Sequence, residues 1–467
     1  MTHITFSTKT EFQGIHIVLA VAPQNVAPDA AGKDAGDIRF NQSNQTVTVS
    51  VGAKEKVTLE TIRRAGGALA KWIAKNKVTE AGIEIASFSN LGFAPDKIAF
   101  ALAEGILLGS FRFEKHKSKK EEPTPANVYF LDQDLKPVIE RAAIICDATN
   151  LARAWAHEPA NIINPVTLAE RVQILAKEEG LKCTVLDDTQ LAEMGAGAIV
   201  AVGQGSANPS RMIVLEYQPE VGSDAKPVAL VGKAITFDTG GYSVKSAEGM
   251  VGMKYDKCGA MAVLGTIVAA ARLRLPIPVV AVLAAAENMI SDVAYRPNDI
   301  ITTLSGKTVE IISTDAEGRL VLSDALTYAQ QQFQPRSMID VATLTGGVVV
   351  ALGDTRAGIL SNNDELSNTL FVTGEQVHER LWRLPLDDEY FELLKSVDAD
   401  FKNSAGVRKA HPIIGGIFLK QFVNDETAWA HLDIAGVSDW DKEMPYCPKG
   451  ASGFGVRLLV EYLSGLK

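Results

Sequence analysis

The alternation of apolar and polar residues over the first 135 positions predicts a module of mixed strands and helices. Residues Thr46 to Val51 alternate with the two-residue period of a strand. Apolar residues recur at helical spacing from Leu59 to Ala74 and from Pro95 to Leu108. The charge-dense segment from Arg112 to Pro125 is interpreted as a solvated loop. We therefore expect a smaller α/β domain over residues 1–134.

The rest of the chain alternates between short apolar runs and helical segments. A helical stretch from Leu135 to Ala156 ends where prolines and asparagines cluster, which predicts a linking helix over residues 135–157. Helical spacing recurs later, in Cys258–Ala271 and Ser323–Gln332. Five apolar runs are interpreted as strands: Ala198–Val202, Met212–Leu215, Val228–Val231, Val279–Leu283 and Met338–Val341. The pattern predicts an α/β fold with a larger domain over residues 158–467, whose mostly parallel central sheet is flanked by helices.

Composition supports a compact protein of two unequal domains. The 467 residues are 46% hydrophobic and 22% charged, which is typical of ordinary globular proteins. The longest apolar run, Cys258 to Ala271, is too short to span a bilayer, and the first residues lack the pattern of a secretory signal. Four scattered cysteines indicate reduced thiols. We therefore expect a cytoplasmic location and no membrane partner.

The net charge of −10 bears on the class of partner. The first 135 residues are close to neutral, so the negative charge lies in the larger domain. An acidic body disfavours nucleic-acid binding, which depends on neutralising phosphates. The basic run Lys115–Lys120 favours it weakly, so a DNA-binding or regulatory assembly stays open as an alternative role.

Four carboxylates follow predicted strands, where the functional groups of open α/β sheets collect. They are Asp238, Asp256, Asp315 and Glu317, and they are accompanied by Lys233, Lys245 and Arg319. Asp315 and Glu317 are two residues apart, so an extended backbone would place both on one face. Like charges in one crevice need compensation, which divalent cations supply. The pattern points to a metal site, with salt-bridged or solvated carboxylates as the alternative.

Three longer strings carry a family resemblance. They are GKAITFDTGGYSVK, MKYDKCGA and STDAEGRLVLSDALTYA. They closely resemble the leucine aminopeptidase family, also called cytosol aminopeptidases, whose signature is Asn-Thr-Asp-Ala-Glu-Gly-Arg-Leu. Shorter matches, among them VGQGS, ENM and HLDIAG, extend the likeness from about Glu158 to the C-terminus. Ser313 stands where the signature has asparagine.

The resemblance implies a role for each candidate residue. The tighter metal would be bound by Lys233, Asp238, Asp256 and Glu317, and the more exchangeable metal by Asp238, Asp315 and Glu317. Two divalent ions per subunit are implied, with Mn²⁺ or Zn²⁺ favoured and Mg²⁺ or Co²⁺ also compatible. Lys245 would stabilise the oxyanion, and Arg319 would hold a bicarbonate that acts as general base. The implied substrate pocket consists of Met253, Thr343, Gly346 and Ala435.

The activity implied by the resemblance is that of a leucyl aminopeptidase. Such an enzyme releases leucine and other apolar residues from short peptides with a free N-terminus, and the family forms homohexamers. A cysteinylglycine-type dipeptidase is the alternative that shares this chemistry.

Overall fold

The computed structural model describes residues 4–22, 32, 34–120, 123–219 and 225–466, and the chain divides into two compact units. One unit spans Met1–Asn150 with Trp440–Gly450, and the other spans Leu151–Asp439 with Ala451–Lys467. The division falls inside the long helix Lys136–His157.

The first unit is built on a six-stranded sheet. Its strands, in spatial order, are Ile4–Thr8, Ala126–Phe130, Glu80–Ile83, Ile15–Ala22, Thr46–Ala53 and Ile38–Asn41. All neighbours are parallel except the last pair, which is antiparallel. The helices Leu59–Lys75 and Pro95–Gly109 share an apolar core with the sheet. Short 3-10 helices complete the unit at Lys54–Lys56, Ile85–Asn90 and Gln133–Leu135. The predicted strand and both predicted helices of this region are confirmed.

The second unit is built on an eight-stranded sheet. Its strands, in spatial order, are Leu381–Arg383, Ala357–Ser361, Ala428–Asp433, Ser337–Ala342, Val228–Asp238, Val279–Asn288, Arg211–Tyr217 and Lys182–Leu186. The four central strands, from Ala428–Asp433 to Val279–Asn288, are mutually parallel. Val279–Asn288 is buried at every residue, as expected for a parallel strand covered on both faces.

Helices cover both faces of this sheet. Gly232 faces helix Cys258–Arg272, because a Cβ added to Gly232 would lie 2.4 Å from the Cα of Ala260. On the opposite face, helix Glu317–Phe333 shares a core with Val231 and Ile235. The other helices of the unit are Pro165–Glu178, Asp188–Glu193, Gly197–Gly203, Ala247–Met250, Gly346–Leu352, Asp364–Val377, His411–Lys420 and Val456–Ser464, with 3-10 turns at Met253–Tyr255 and Asp388–Leu394. The α/β fold with a mostly parallel, helix-flanked sheet is confirmed.

Small sheets complete the architecture. Ile300–Thr302, Thr308–Glu310 and Phe401–Lys402 form a three-stranded sheet, and Asp439–Trp440 pairs with Gly450–Ala451. Among the described residues, no helix combines the length and the apolar character needed to cross a membrane.

One predicted strand is wrong. Residues Ala198–Val202 belong to the helix Gly197–Gly203. Four of these five residues are buried, and a buried helix shows the same continuous apolar run as an interior strand. A short apolar run without periodicity does not distinguish the two. Here the helix is fixed by tertiary contact, since the carboxylate of Asp324 accepts the N–H of Ile199 at 2.9 Å.

Candidate metal centre

The structure places the five predicted metal ligands at the carboxyl end of the central strands. Lys233 and Asp238 lie on Val228–Asp238, and Asp256 follows the 3-10 turn Met253–Tyr255. Asp315 precedes helix Glu317–Phe333, and Glu317 is its first residue. Three segments that are distant in sequence therefore supply one site.

A β-bulge aligns Lys233 with Asp238. The two residues are five apart, so a regular strand would direct them to opposite faces of the sheet. Against the neighbouring strand, Ala286 lies opposite Ile235, whereas Asn288 lies opposite Asp238. The extra residue reverses the alternation of side chains. As a result Asp238 joins the cluster on the side of Lys233.

Two lysines pair with the carboxylates. Lys233 Nζ lies 2.7 Å from Asp256 Oδ1 and 2.8 Å from Glu317 Oε1. Lys245 Nζ lies 2.6 Å from Asp238 Oδ2 and also contacts Asp315 Oδ1. The Lys233 side chain is 3% exposed, whereas that of Lys245 is 17% exposed. Lys245 is thus the ammonium group that a substrate could reach.

The cluster carries a surplus of negative charge, because four carboxylates face two ammonium groups. Burial and repulsion from Glu317 raise the pKa of Asp315 to about 6. Burial also raises the pKa of Asp256 to about 8, although Lys233 opposes the rise. Burial acts in the same direction on Glu317, but attraction by Lys233 and Lys245 lowers its pKa to about 2. Burial and repulsion from Glu317 also raise the pKa of Asp238, and three carboxyl groups with raised pKa values show that the site favours additional positive charge.

The donor atoms fit a divalent metal. Within the described part of the chain, Asp256 Oδ2 and Glu317 Oε2 are buried and have no hydrogen-bond partner, which is costly for a polar oxygen. Asp238, Asp315 and Glu317 each offer an oxygen, and these atoms lie within 4.8 Å of one another. Oxygen-rich donor sets suit hard divalent cations.

Arg319 lies next to the cluster on helix Glu317–Phe333 and is 2% exposed. Its Nη1 donates to the carbonyl oxygen of Asn403 at 2.7 Å, whereas its Nε is buried and meets no hydrogen-bond partner among the residues that the structure describes. Burial lowers its pKa to about 10, which leaves the guanidinium charged at neutral pH. A buried cation with an unpaired N–H is suited to hold a small anion.

The predicted pocket residues lie on segments that adjoin the cluster. Thr343 Oγ1 donates to Asp256 Oδ1 at 2.7 Å, and Met253 begins the turn that leads to Asp256. A Cβ added to Gly346 would meet no atom within 4 Å, so this residue borders open space. The N–H of Ala435 donates to Asp433 at 3.3 Å. The carbonyl oxygen of Met253 accepts the N–H of Asp256 at 3.3 Å, and that of Thr343 accepts from Lys233 Nζ at 2.9 Å, so both residues contact predicted ligands.

Sequence reasoning missed the side chains that hold the loop before Glu317. The carbonyl oxygen of Thr314 accepts hydrogen bonds from Asn288 Nδ2 at 3.0 Å and from the Tyr295 hydroxyl at 2.7 Å. Asn403 accepts the N–H of Ile312 at 2.8 Å and donates to the carbonyl oxygen of Ser313 at 2.6 Å. The matching segment ENM pointed to Asn288, but nothing in the local pattern pointed to Asn403.

Comparison with known proteins assigns both parts of the chain. Residues 150–460 match the catalytic-domain model of the cytosol aminopeptidase family, and residues 38–120 match its N-terminal-domain model. A probable cytosol aminopeptidase of Syntrophotalea carbinolica is 45% identical over 428 residues, covering 90% of this chain and 85% of the relative. Another, of Rickettsia rickettsii, is 39% identical over 466 residues, covering 98% and 90%.

A solved structure shares the whole fold. The bottromycin maturation enzyme BotP in complex with Mn superposes with a TM-score of 0.89 at 32% identity, covering 96% of this chain and 98% of that one. The matches span both domains and include the segments that carry the acidic cluster. The chain belongs to the cytosol aminopeptidase family and is a metal-dependent aminopeptidase.

Proposed function

We propose that this aminopeptidase releases leucine and other apolar residues from the N-terminus of short peptides at a centre for two divalent ions. The observation that carries the proposal is the surplus of carboxylates at the carboxyl ends of the central strands, where Asp256 and Glu317 each have a buried oxygen without a hydrogen-bond partner among the described residues. Lys233, Asp238, Asp256 and Glu317 would hold one ion, and Asp238, Asp315 and Glu317 the other. Lys233 would bind as a neutral amine after losing a proton, which the charge of the ion favours. When bound, such ions neutralise the surplus charge, polarise the scissile carbonyl and make water a stronger acid.

The residues of the chain bind and orient the substrate around that centre. Asp315 is exposed at the rim of the cluster, so it attracts the free α-ammonium group of a peptide. A blocked N-terminus removes this interaction, which makes the enzyme an exopeptidase. Lys245 lies between Asp238 and Asp315, and its ammonium group stabilises negative charge on the scissile oxygen.

Arg319 would hold a bicarbonate, which serves as a general base when it is bound. The support is the unpaired Nε of a fully buried guanidinium. For the first residue of the substrate, Met253, Thr343, Gly346 and Ala435 would offer small or apolar surfaces, two of them, Met253 and Thr343, in contact with Asp256. These surfaces favour apolar side chains.

The test is hydrolysis of leucyl-p-nitroanilide by the purified protein before and after chelation, with Mn²⁺, Zn²⁺, Mg²⁺ and Co²⁺ added back in turn. Mn²⁺ comes first because BotP was solved with Mn. We expect the chelator to abolish activity and a divalent ion to restore it, and we expect Glu317→Gln to stay inactive while remaining folded. Metal-loaded protein with no chelator-sensitive activity would contradict the proposal.

Two parallel assays address the finer points. The first compares the rates at which cysteinylglycine and leucyl peptides are hydrolysed. Much faster cleavage of cysteinylglycine would favour the cysteinylglycine-type dipeptidase over the leucyl aminopeptidase. Depletion of bicarbonate should slow the wild type but not Arg319→Ala. The homohexamer and the cytoplasmic location stay predictions, and light scattering on the purified protein measures the oligomer.

A further inference from the structure

Asn288 is a buried residue that touches a predicted metal ligand without being one. It ends the strand Val279–Asn288, lies opposite Asp238 at the bulge and is 0% exposed. Its Nδ2 donates to Asp238 Oδ1 at 2.8 Å and to the carbonyl oxygen of Thr314 at 3.0 Å. One amide group therefore joins the strand end to the loop that carries Asp315.

The chemistry of the two partners fixes the orientation of the amide. A carboxylate oxygen and a carbonyl oxygen both accept hydrogen bonds and donate none. Only the side-chain nitrogen of Asn288 can therefore face these two oxygens. Its Oδ1 then points towards Gly241, and a Cβ added to Gly241 would lie 3.1 Å from that oxygen. An aspartate at this position would place an acceptor against two acceptors. The site therefore requires the amide donor.

The contact restricts Asp238 to one orientation. Its Oδ1 accepts from Asn288 and from the N–H of Gly240, both at 2.8 Å, while its Oδ2 lies 2.6 Å from Lys245 Nζ. With one oxygen held by two donors, rotation about the Cβ–Cγ bond is blocked. The other oxygen is thereby held towards the cluster.

We propose that Asn288 is a positioning residue that sets the metal affinity of the centre through Asp238. The inference rests on the proposed function, in which Asp238 binds both ions. Residues that orient a ligand carboxylate without touching the metal typically change metal affinity about 10–100-fold when replaced. We expect a loss of that size when the amide donor of Asn288 is removed.

Tyr295 provides a matched control. Its hydroxyl donates to the same carbonyl oxygen of Thr314 at 2.7 Å, and its side chain is also buried, at 2% exposure. Asn288 donates both to Asp238 and to the loop, whereas the Tyr295 hydroxyl donates to the loop. Tyr295→Phe therefore loosens the loop and leaves the orientation of Asp238 unchanged.

The experiment measures Mn²⁺ binding to the chelated full-length protein from the electron paramagnetic resonance signal of free Mn²⁺. The variants are Asn288→Leu, which keeps the size but removes the donor, and Asn288→Ala, which serves if the leucine variant does not fold. Circular dichroism and thermal unfolding establish that each variant is folded. We expect about 10–100-fold weaker binding for Asn288→Leu, and near wild-type binding for Tyr295→Phe.

The outcomes separate this inference from the proposed function. Wild-type protein that does not bind Mn²⁺, or any other divalent ion tried, would contradict the proposed centre itself. If the wild type binds Mn²⁺ and the folded Asn288 variants bind it equally well, the positioning role is refuted while the centre stands. Equal weakening by Tyr295→Phe would also refute it, because anchoring of the loop would then explain the effect.

Discussion

Replacement of Gly318 by alanine tests the position of Lys233. Gly318 is the second residue of helix Glu317–Phe333, where alanine is ordinarily the better residue by about 1 kcal/mol. Here an added Cβ would lie 2.5 Å from Lys233 Cε and 2.8 Å from its Nζ. Carbon atoms in contact rest at about 3.5–4.0 Å, so the lysine must move by roughly 1 Å.

The cost of that movement follows from the contacts of Lys233. The residue is 2% exposed, and its Nζ is held by Asp256 at 2.7 Å, Glu317 at 2.8 Å and the carbonyl oxygen of Thr343 at 2.9 Å. A hydrogen bond with a charged group contributes about 1.5–3 kcal/mol. Loss of two of the three costs about 3–6 kcal/mol, which outweighs the helical preference for alanine. We therefore expect the free energy of unfolding to fall by about 2–5 kcal/mol in Gly318→Ala.

The assay combines activity, metal retention and stability. The net cost should lower the unfolding temperature. Because Lys233 is also a proposed metal ligand, Gly318→Ala should retain less Mn²⁺ after dialysis and should cleave leucyl-p-nitroanilide more slowly than the wild type. Gly465→Ala is the control, because the nearest atom to its added Cβ is 3.5 Å away. Wild-type activity and Mn²⁺ retention in Gly318→Ala, with a raised unfolding temperature, would refute the reasoning.

Three further predictions concern neighbouring groups. Lys245→Met should lower kcat about 100–1,000-fold in steady-state kinetics, as expected for the loss of an oxyanion donor, and a variant with unchanged kcat would remove Lys245 from the reaction. Asn403→Ala removes the side-chain hydrogen bonds to Ile312 and Ser313 and should cost about 2–3 kcal/mol of stability, measured as a lower unfolding temperature; an unchanged temperature would contradict the role of this contact. Burial raises the pKa of Asp324 from 3.8 to about 7 despite the N–H donors of Leu304 and Ile199. Between pH 4 and 7 the native state therefore binds more protons than the unfolded chain. The contribution of Asp324 to the free energy of unfolding is fully present below about pH 4, and it falls by roughly 4 kcal/mol as the pH rises to 7. Asp324→Asn removes the titrating group, so the unfolding temperature of the wild type should fall relative to that of the variant as the pH rises from 4 to 7. Parallel profiles would contradict the assignment.

The sequence predicted the fold well where burial leaves a clear pattern. The long helices Leu59–Lys75 and Pro95–Gly109 have enough turns for their spacing to be visible, and the interior strands Val228–Asp238 and Val279–Asn288 begin with continuous apolar runs. The run Ala198–Val202 was misassigned because five apolar residues carry no period. Its helical state depends on contacts such as the hydrogen bond from Ile199 to Asp324, which lies far along the chain.

The ligand types of the site could be predicted, but not the geometry that brings them together. An extended backbone was expected to align Asp315 with Glu317, yet Glu317 begins a helix, and both reach the cluster across a turn. Spacing alone would place Lys233 and Asp238 on opposite faces of the sheet. The bulge that brings them to the same face depends on pairing with another strand, so it is not visible in the sequence.

The supporting residues are still less visible in the sequence, because each acts on a partner far along the chain. Asn288 holds Asp238 from the neighbouring strand, and Asn403 holds Ser313 from a segment beyond the helix that Glu317 begins. The matching segment ENM includes Asn288, but no local pattern marks Asn403, and only the folded chain shows that the amide of each faces a loop of the site. At Asn288 the amide donor faces two acceptors, Asp238 Oδ1 and the carbonyl oxygen of Thr314, and sequence reasoning can identify this need only after the pairing of the strands is known.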